Sequence, residues 1–155
     1  MLPPTLSWQG FAENTSQAGL VSITDYFDCD GSKGVHALLF ITSATWCGVC
    51  QQEADVLEAE TQGQLAALGA HVITLMIENA SSQPATTATA EAWKNAFGLT
   101  SSAVVADPEI TMATSPSFGT PLEVVVDPRT MKVVDRQEGW AGDYPALVAV
   151  AQQNQ

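Results

Sequence analysis

In Phe40-Ile41-Thr42-Ser43-Ala44-Thr45-Trp46-Cys47-Gly48-Val49-Cys50-Gln51-Gln52-Glu53, an apolar run gives way to a polar one, and two cysteines mark the change. The apolar side belongs to His36-Ala37-Leu38-Leu39-Phe40-Ile41-Thr42, a continuous stretch of strand length that reads as a strand buried on both faces. The polar side opens a helix expected from about Cys47 to Leu68. Within it Cys50, Ala54, Leu57, Thr61, Leu65 and Leu68 recur at steps of three and four and form one stripe. Gly63 is the weak point of that helix, and Gly69 is its expected stop. Cys47 therefore stands where a helix begins, with unpaired backbone N–H groups and the positive end of the helix dipole beside it. Both favour a thiolate, so Cys47 is the expected nucleophile. Cys50 lies one turn on, on the core-facing stripe, within reach of a bond to Cys47. The expected cycle is attack by Cys47 on a disulfide, a mixed disulfide, and resolution by Cys50. A C-x-x-C is also half of a metal site, and the spacing alone leaves that open; the strand-then-helix setting favours the redox pair.

Outward from this stretch, Val72 to Ile77 is a second buried strand, and Asn79 to Ala90, rich in Ser, Thr, Gln and Ala, reads as a loop. A short helix is expected over Glu91 to Phe97, then a brief strand at Ala103 to Ala106. Asp107 to Gly119 is a long connection and a candidate specificity loop. Leu122 to Val126 and Val133 to Gln137 form a hairpin. The last helix is expected to start with Asp143 as N-cap and Pro145 in its first turn, and to run to about Gln152. Residues 1 to about 34 read as mixed and loop-like, with a short strand or helical turn within Val21 to Phe27. The order of elements predicts an α/β fold: a central mixed β-sheet flanked by helices on both faces, one domain over residues 1 to 155.

Composition narrows the function classes. Seventeen acidic residues against five basic ones give a net charge of -12. Five cations cannot neutralise many phosphates, which argues against nucleic acid and anionic lipid surfaces as partners. No apolar run approaches the roughly 18 to 20 residues of a membrane span, so no membrane insertion is expected. The N-terminal Met1-Leu2-Pro3-Pro4-Thr5 has neither the basic nor the apolar segment of a signal peptide; a leader removed from a longer precursor would leave such a chain. Three cysteines do not make a disulfide framework. Zinc normally takes four ligands, and neither His36 nor His71 stands at finger-like spacing from the pair. Both histidines read as edge or loop residues, and Cys29, in the acidic turn Asp28-Cys29-Asp30-Gly31, as a half-buried thiol without a redox role.

The segment from Phe40 to Glu53 resembles the active-site segment of thioredoxin-like proteins, most closely the TlpA-like thiol-disulfide oxidoreductase (redoxin) branch, with Trp46-Cys47-Gly48-Val49-Cys50 and a glutamate three residues on. Downstream, Gly119-Thr120-Pro121-Leu122-Glu123-Val124-Val125-Val126-Asp127 is similar to that family's Gly-x-Pro-Thr segment and the strand after it, and Gly139 matches the glycine after the last strand. The likeness runs from about residue 35 to 150; residues 1 to 34 match loosely, as an N-terminal extension. It implies a thioredoxin-like fold and a thiol–disulfide oxidoreductase that exchanges dithiol and disulfide with protein partners, outside the cytoplasm, without a bound cofactor or metal. It further implies that Pro121 is a cis-proline facing the cysteines and presents the backbone of Thr120 to substrate. Trp46 would shield the nucleophile and help form the docking surface, and Glu53 would lie beneath the pair and tune its proton chemistry. There are departures. Thioredoxins proper carry a buried aspartate six residues before the first cysteine, where this chain has Ile41, so that proton acceptor is missing. Leu122 follows Pro121 where threonine is usual.

Two other functions are compatible with a cysteine at this place. A thiol peroxidase of the peroxiredoxin type resembles P-x-x-x-T/S-x-x-C, and the matching places before Cys47 hold Phe40 and Ala44, which cannot do that work. A non-enzymatic copper or other metal carrier could use two soft thiolates, but the copper-delivery relatives resemble C-x-x-x-C with a later histidine ligand.

Overall fold

The computed structural model describes residues 1–155. Its centre is β3 (Ala37–Ala44), all eight residues of which are buried. Burying Leu38, Leu39, Phe40 and Ile41 contributes about 1.5–3 kcal/mol each, enough to offset the roughly 1–2 kcal/mol of backbone ordering per residue. Parallel to β3 lies β4 (Ala70–Glu78), and beyond it β5 (Ala103–Ala106), also parallel. On the other side β6 (Leu122–Asp127) runs antiparallel to β3, and β7 (Lys132–Glu138) continues the hairpin.

The N-terminal segment departs from its loop-like reading. Ser7–Phe11 forms β1 and Gly19–Ser22 forms β2, which extend the sheet antiparallel beyond β5. The result is one seven-stranded mixed sheet in the order β2-β1-β5-β4-β3-β6-β7. Gly10 makes the junction possible: a Cβ there would stand 2.5 Å from the Val104 carbonyl oxygen and from Val105 Cα.

The expected helix from Cys47 to Leu68 is two helices, α1 (Gly48–Gln62) and α2 (Gln64–Ala67), separated at Gly63. Of its stripe, Cys50, Ala54, Leu57, Thr61 and Leu65 are buried and Leu68 is half-buried. Helix α3 (Thr87–Phe97) begins four residues before the predicted start, so the expected loop ends earlier. Thr89 Oγ1 accepts the Thr86 N–H at 3.0 Å and satisfies one of the free donors of that end. Helix α4 (Pro145–Gln153) has Pro145 in its first turn, but its cap is Tyr144, not Asp143, and no side chain closes it. Tyr144 is drawn into the core, whereas Asp143 stays in solvent.

All four helices pack on one face of the sheet, where Cys50, Leu57, Leu65, Trp93, Leu147 and Ala151 meet Leu39, Ile41, Val72 and Val104. Helices on both faces were expected, and the two faces are covered unequally. Leu38, Phe40, Ile73 and Val124 on the far face are sealed by Trp8, the 3-10 turn Ile23–Asp25 and Met112 of the 107–119 connection. That connection is pinned at its start, where the Asp107 carboxylate accepts the Thr111 N–H at 2.8 Å and its hydroxyl at 3.0 Å, while Trp8 Nε1 donates to Thr111 Oγ1 at 3.1 Å.

Candidate active site

Strand β3 ends at Ala44, and Thr45 is held against the end of β4: its N–H and hydroxyl both donate to the Glu78 carbonyl, at 3.1 and 3.2 Å. This fixes where Cys47 emerges. Cys47 is extended and serves as the N-cap of α1, its sulfur accepting the Cys50 N–H at 3.2 Å. The sulfur thus occupies the place normally taken by a capping oxygen, where the helix dipole favours negative charge. Cys47 and Cys50 form a disulfide across a Cα–Cα distance of 5.2 Å. Cys47 is 5% exposed and Cys50 1%. The reactive edge is therefore narrow, and the second sulfur lies beneath the first.

Opposite the pair, the Thr120–Pro121 peptide bond is cis. The Cys47 sulfur lies 3.5 Å from the Thr120 carbonyl oxygen. A Cys47 thiol in the reduced pair would donate to that oxygen. Pro121 is buried and Thr120 half-buried. Trp46 is 51% exposed, and its Nε1 donates to Glu78 Oε2 at 2.7 Å. Gln51 Nε2 donates to the Thr45 carbonyl at 2.9 Å, which ties the first turn of α1 back to the loop. Trp46, Cys47, Thr120 and Pro121 thus come together around the emerging sulfur.

Glu53 is 1% exposed, not a solvated helix glutamate. It stands one turn after Cys50, and both line a small gap with Ile41, Ser43, Thr74 and Trp93. Tyr144 donates its hydroxyl to Glu53 Oε1 at 3.0 Å. Burial first, and the charge of Glu123 second, push the Glu53 carboxyl up to about 8. Glu123, which in sequence is only part of the strand from Leu122 to Val126, is the partner. It is 6% exposed and pairs in register with Ile41 of β3, so it projects onto the same face of the sheet. Burial raises its carboxyl to about 7; a hydrogen bond with Glu53 holds it back, and the charges of Asp135 and Asp143 add to the rise. Two buried carboxylates on one face of the sheet disfavour double ionisation, which raises the affinity of the pair for a proton.

The remaining candidates lie elsewhere. Cys29 is exposed, not half-buried as expected. His36 Nδ1 contacts the Leu68 carbonyl at 3.0 Å, and His71 Nδ1 contacts Glu13 at 2.8 Å, both away from the sulfurs. No group of three His, Cys, Asp or Glu is arranged to hold a metal ion. At Ala44, the place of the peroxiredoxin hydroxyl, there is no donor to Cys47. No helix is long and apolar enough to cross a membrane. The largest cavity, about 540 Å³ and lined by Thr45, Gln51, Thr86, Trp93 and Phe97 among others, does not include either sulfur.

No family model matches the chain, and no curated protein matches it in sequence. Solved structures do match it. One is a putative thiol:disulfide interchange protein DsbE from Chlorobium tepidum, 20% identical, with 97% of this chain and 92% of that chain covered and a TM-score of 0.59. Another is the exposed lipoprotein thioredoxin Etrx1 of Streptococcus pneumoniae, 14% identical over 96% of this chain and 99% of that chain, TM-score 0.62. The 2-Cys peroxiredoxin of Plasmodium vivax is 12% identical over 95% of this chain and 76% of that one, TM-score 0.65. At these identities the likeness is one of fold, and the fold is thioredoxin-like.

Proposed function

We propose that this thioredoxin-like chain is a thiol–disulfide oxidoreductase that exchanges dithiol and disulfide with protein partners through Cys47 and Cys50. The observation that carries the reading is the bonded pair itself, with Cys47 capping a helix N-terminus at a narrow opening. In the reduced pair the Cys47 thiolate attacks a partner disulfide. A mixed disulfide forms and one partner thiolate leaves. Cys50 then attacks Cys47, restores the intramolecular disulfide and expels the second partner thiolate. Each turn oxidises one dithiol and reduces one disulfide, and the reverse direction uses the same bonds. The closeness of the pair, 5.2 Å between Cα atoms, and the dipole at Cys47 favour this exchange, and no cofactor enters it.

The surroundings fit an extended polypeptide better than a small molecule. The sulfurs lie outside the largest cavity. Trp46 offers exposed aromatic surface, and Thr120 and Pro121 offer backbone beside the sulfur, which suits short strand-like contacts. Glu53 lies beneath the pair as the group that handles its protons. Residues 1 to 155 act as one domain on this reading, because β1 and β2 belong to the same sheet as the active-site strand. A place outside the cytoplasm is supported by the TlpA-like sequence pattern and by structural likeness to a lipoprotein thioredoxin described as exposed.

The experiment is reduction of a protein disulfide, insulin for instance, coupled to a chemical reductant. Cys47→Ser should abolish turnover, and Cys50→Ser should stall with the partner covalently bound at Cys47. Normal turnover by Cys47→Ser would defeat the proposal.

A further inference from the structure

We propose that Glu123 relays the Cys50 proton between Glu53 and solvent, so that the Glu53–Glu123–Tyr144 cluster is the proton exit of the resolving step. The proposal rests on the thiol–disulfide exchange reading above and names a positioning residue for it.

Cys50 must lose a proton before it can attack the mixed disulfide. It is 1% exposed, and the gap it shares with Glu53 has no space for a water molecule. Its proton therefore cannot pass straight to solvent. Glu53 shares that gap, and Ile41 lines it from β3. Glu123, the register partner of Ile41 on β6, continues the same face one strand further out. Glu53 Oε2 and Glu123 Oε1 are both buried without any protein donor. Orphaned carboxylate oxygens of this kind are expensive unless a proton serves them. Glu123 in turn lines a second crevice, of about 30 Å³, with Asp135, Gln137, Tyr144 and Pro145. That volume suits a single water, and Asp135 at its rim is in solvent. The route thus runs from Cys50 to Glu53, to Glu123, to a crevice that meets water.

The charged groups acting on the cluster are all acidic: Glu60 from α1, Asp135 from β7 and Asp143 from the turn before α4. Tyr144, from the cap of α4, donates to Glu53 and stays protonated. With no cation among these groups, one carboxyl of the pair keeps a proton and the other is free to accept one. In the resolving step the Cys50 S–H bond breaks and its proton goes to Glu53, whose own proton passes on to the ionised Glu123. The Cys50 thiolate attacks Cys47, and the partner sulfur leaves with its electron pair. The pair, now holding two protons, gives one up at the Glu123 crevice.

The test uses the reduced full chain and the aromatic disulfide 5,5'-dithiobis(2-nitrobenzoate). Attack by Cys47 releases one thionitrobenzoate, and resolution by Cys50 releases the second, read as two absorbance phases across pH. For Glu123→Gln the first phase is expected unchanged. The second should slow about tenfold or more, less than the roughly hundredfold or greater cost of losing a proton-transfer group outright because Glu53 remains in place, and its pH break should move. Glu123→Asp, which keeps an acid there, should recover most of the rate and decides the matter if the glutamine variant folds poorly. A second phase in Glu123→Gln that overlays the parent at every pH overturns the relay and leaves the oxidoreductase reading standing. Equal slowing of both phases also overturns it, since that is a structural effect. Absence of the first phase in the parent protein removes both.

Discussion

Replacing Glu53 by glutamine should change how the folding stability of the oxidised protein depends on pH. Glu53 is buried, and its carboxyl is raised to about 8 by that burial and by Glu123. An unfolded glutamate titrates near about 4.3. The folded value lies above the unfolded one, so the folded chain binds more protons in the interval between them. Stability is therefore greatest below the unfolded value and falls as pH rises towards the folded one. Each pH unit in that interval removes about 1.4 kcal/mol. Between about pH 5 and pH 7 the parent protein should lose about 3 kcal/mol from this source, about 6–12 °C in Tm for a chain of this size. Glutamine keeps an oxygen to accept the Tyr144 hydroxyl and does not titrate. Glu53→Gln should match the parent at low pH and exceed it at neutral pH, with a shallower slope whose remainder comes from Glu123, raised by burial in both proteins. The assay is urea unfolding at a series of pH values with the disulfide intact, so that no thiol at Cys47 or Cys50 titrates. Parallel curves for the two proteins would refute the reasoning, because they would mean that Glu53 is ionised in the fold at neutral pH.

Trp46→Ala should slow exchange with a protein disulfide several-fold while moving stability by less than about 1 kcal/mol, as expected for a half-exposed side chain away from the core; steady-state turnover beside a urea midpoint checks it. Gly10→Ala should destabilise the chain by about 1–3 kcal/mol, since the added methyl meets the backbone of β5; amide hydrogen exchange should show β1 and β2 losing protection while β3 keeps its own.

The parts that were legible in the sequence are those governed by local chemistry. Ala37–Ala44 is apolar throughout because both faces are covered, and that alone marks a central strand. The cysteines declare a helix start because Cys47 ends the apolar run and the stripe from Cys50 to Leu65 faces inward. What stayed hidden depends on partners far along the chain. In Ser7–Phe11 the inward Trp8 is followed by Gly10, which looks like a turn residue until Val104 and Val105 are placed against it. Thr87 and Thr89 are weak helix formers that continue a Ser-, Thr- and Gln-rich run, so the stretch reads as loop, yet Ala90 packs in the core and Thr89 closes the helix end. Asp143 has the better capping side chain, but the bond from Tyr144 to Glu53 sets where α4 begins. Glu123 is the clearest case. In sequence, Ile41 marks the loss of a buried acid beneath the cysteines. A carboxylate stands beside that place after all, supplied by the neighbouring strand through the register of Ile41 with Glu123. The signal that could have found it was a lone acid inside the apolar run from Leu122 to Val126.

The most direct test is the reduction potential of the Cys47–Cys50 pair, measured by equilibration with glutathione and thiol labelling. A working exchange pair should lie between roughly -120 and -270 mV, the span of catalytic dithiols. A pair that stays oxidised below about -300 mV would be a structural cross-link and would contradict the account.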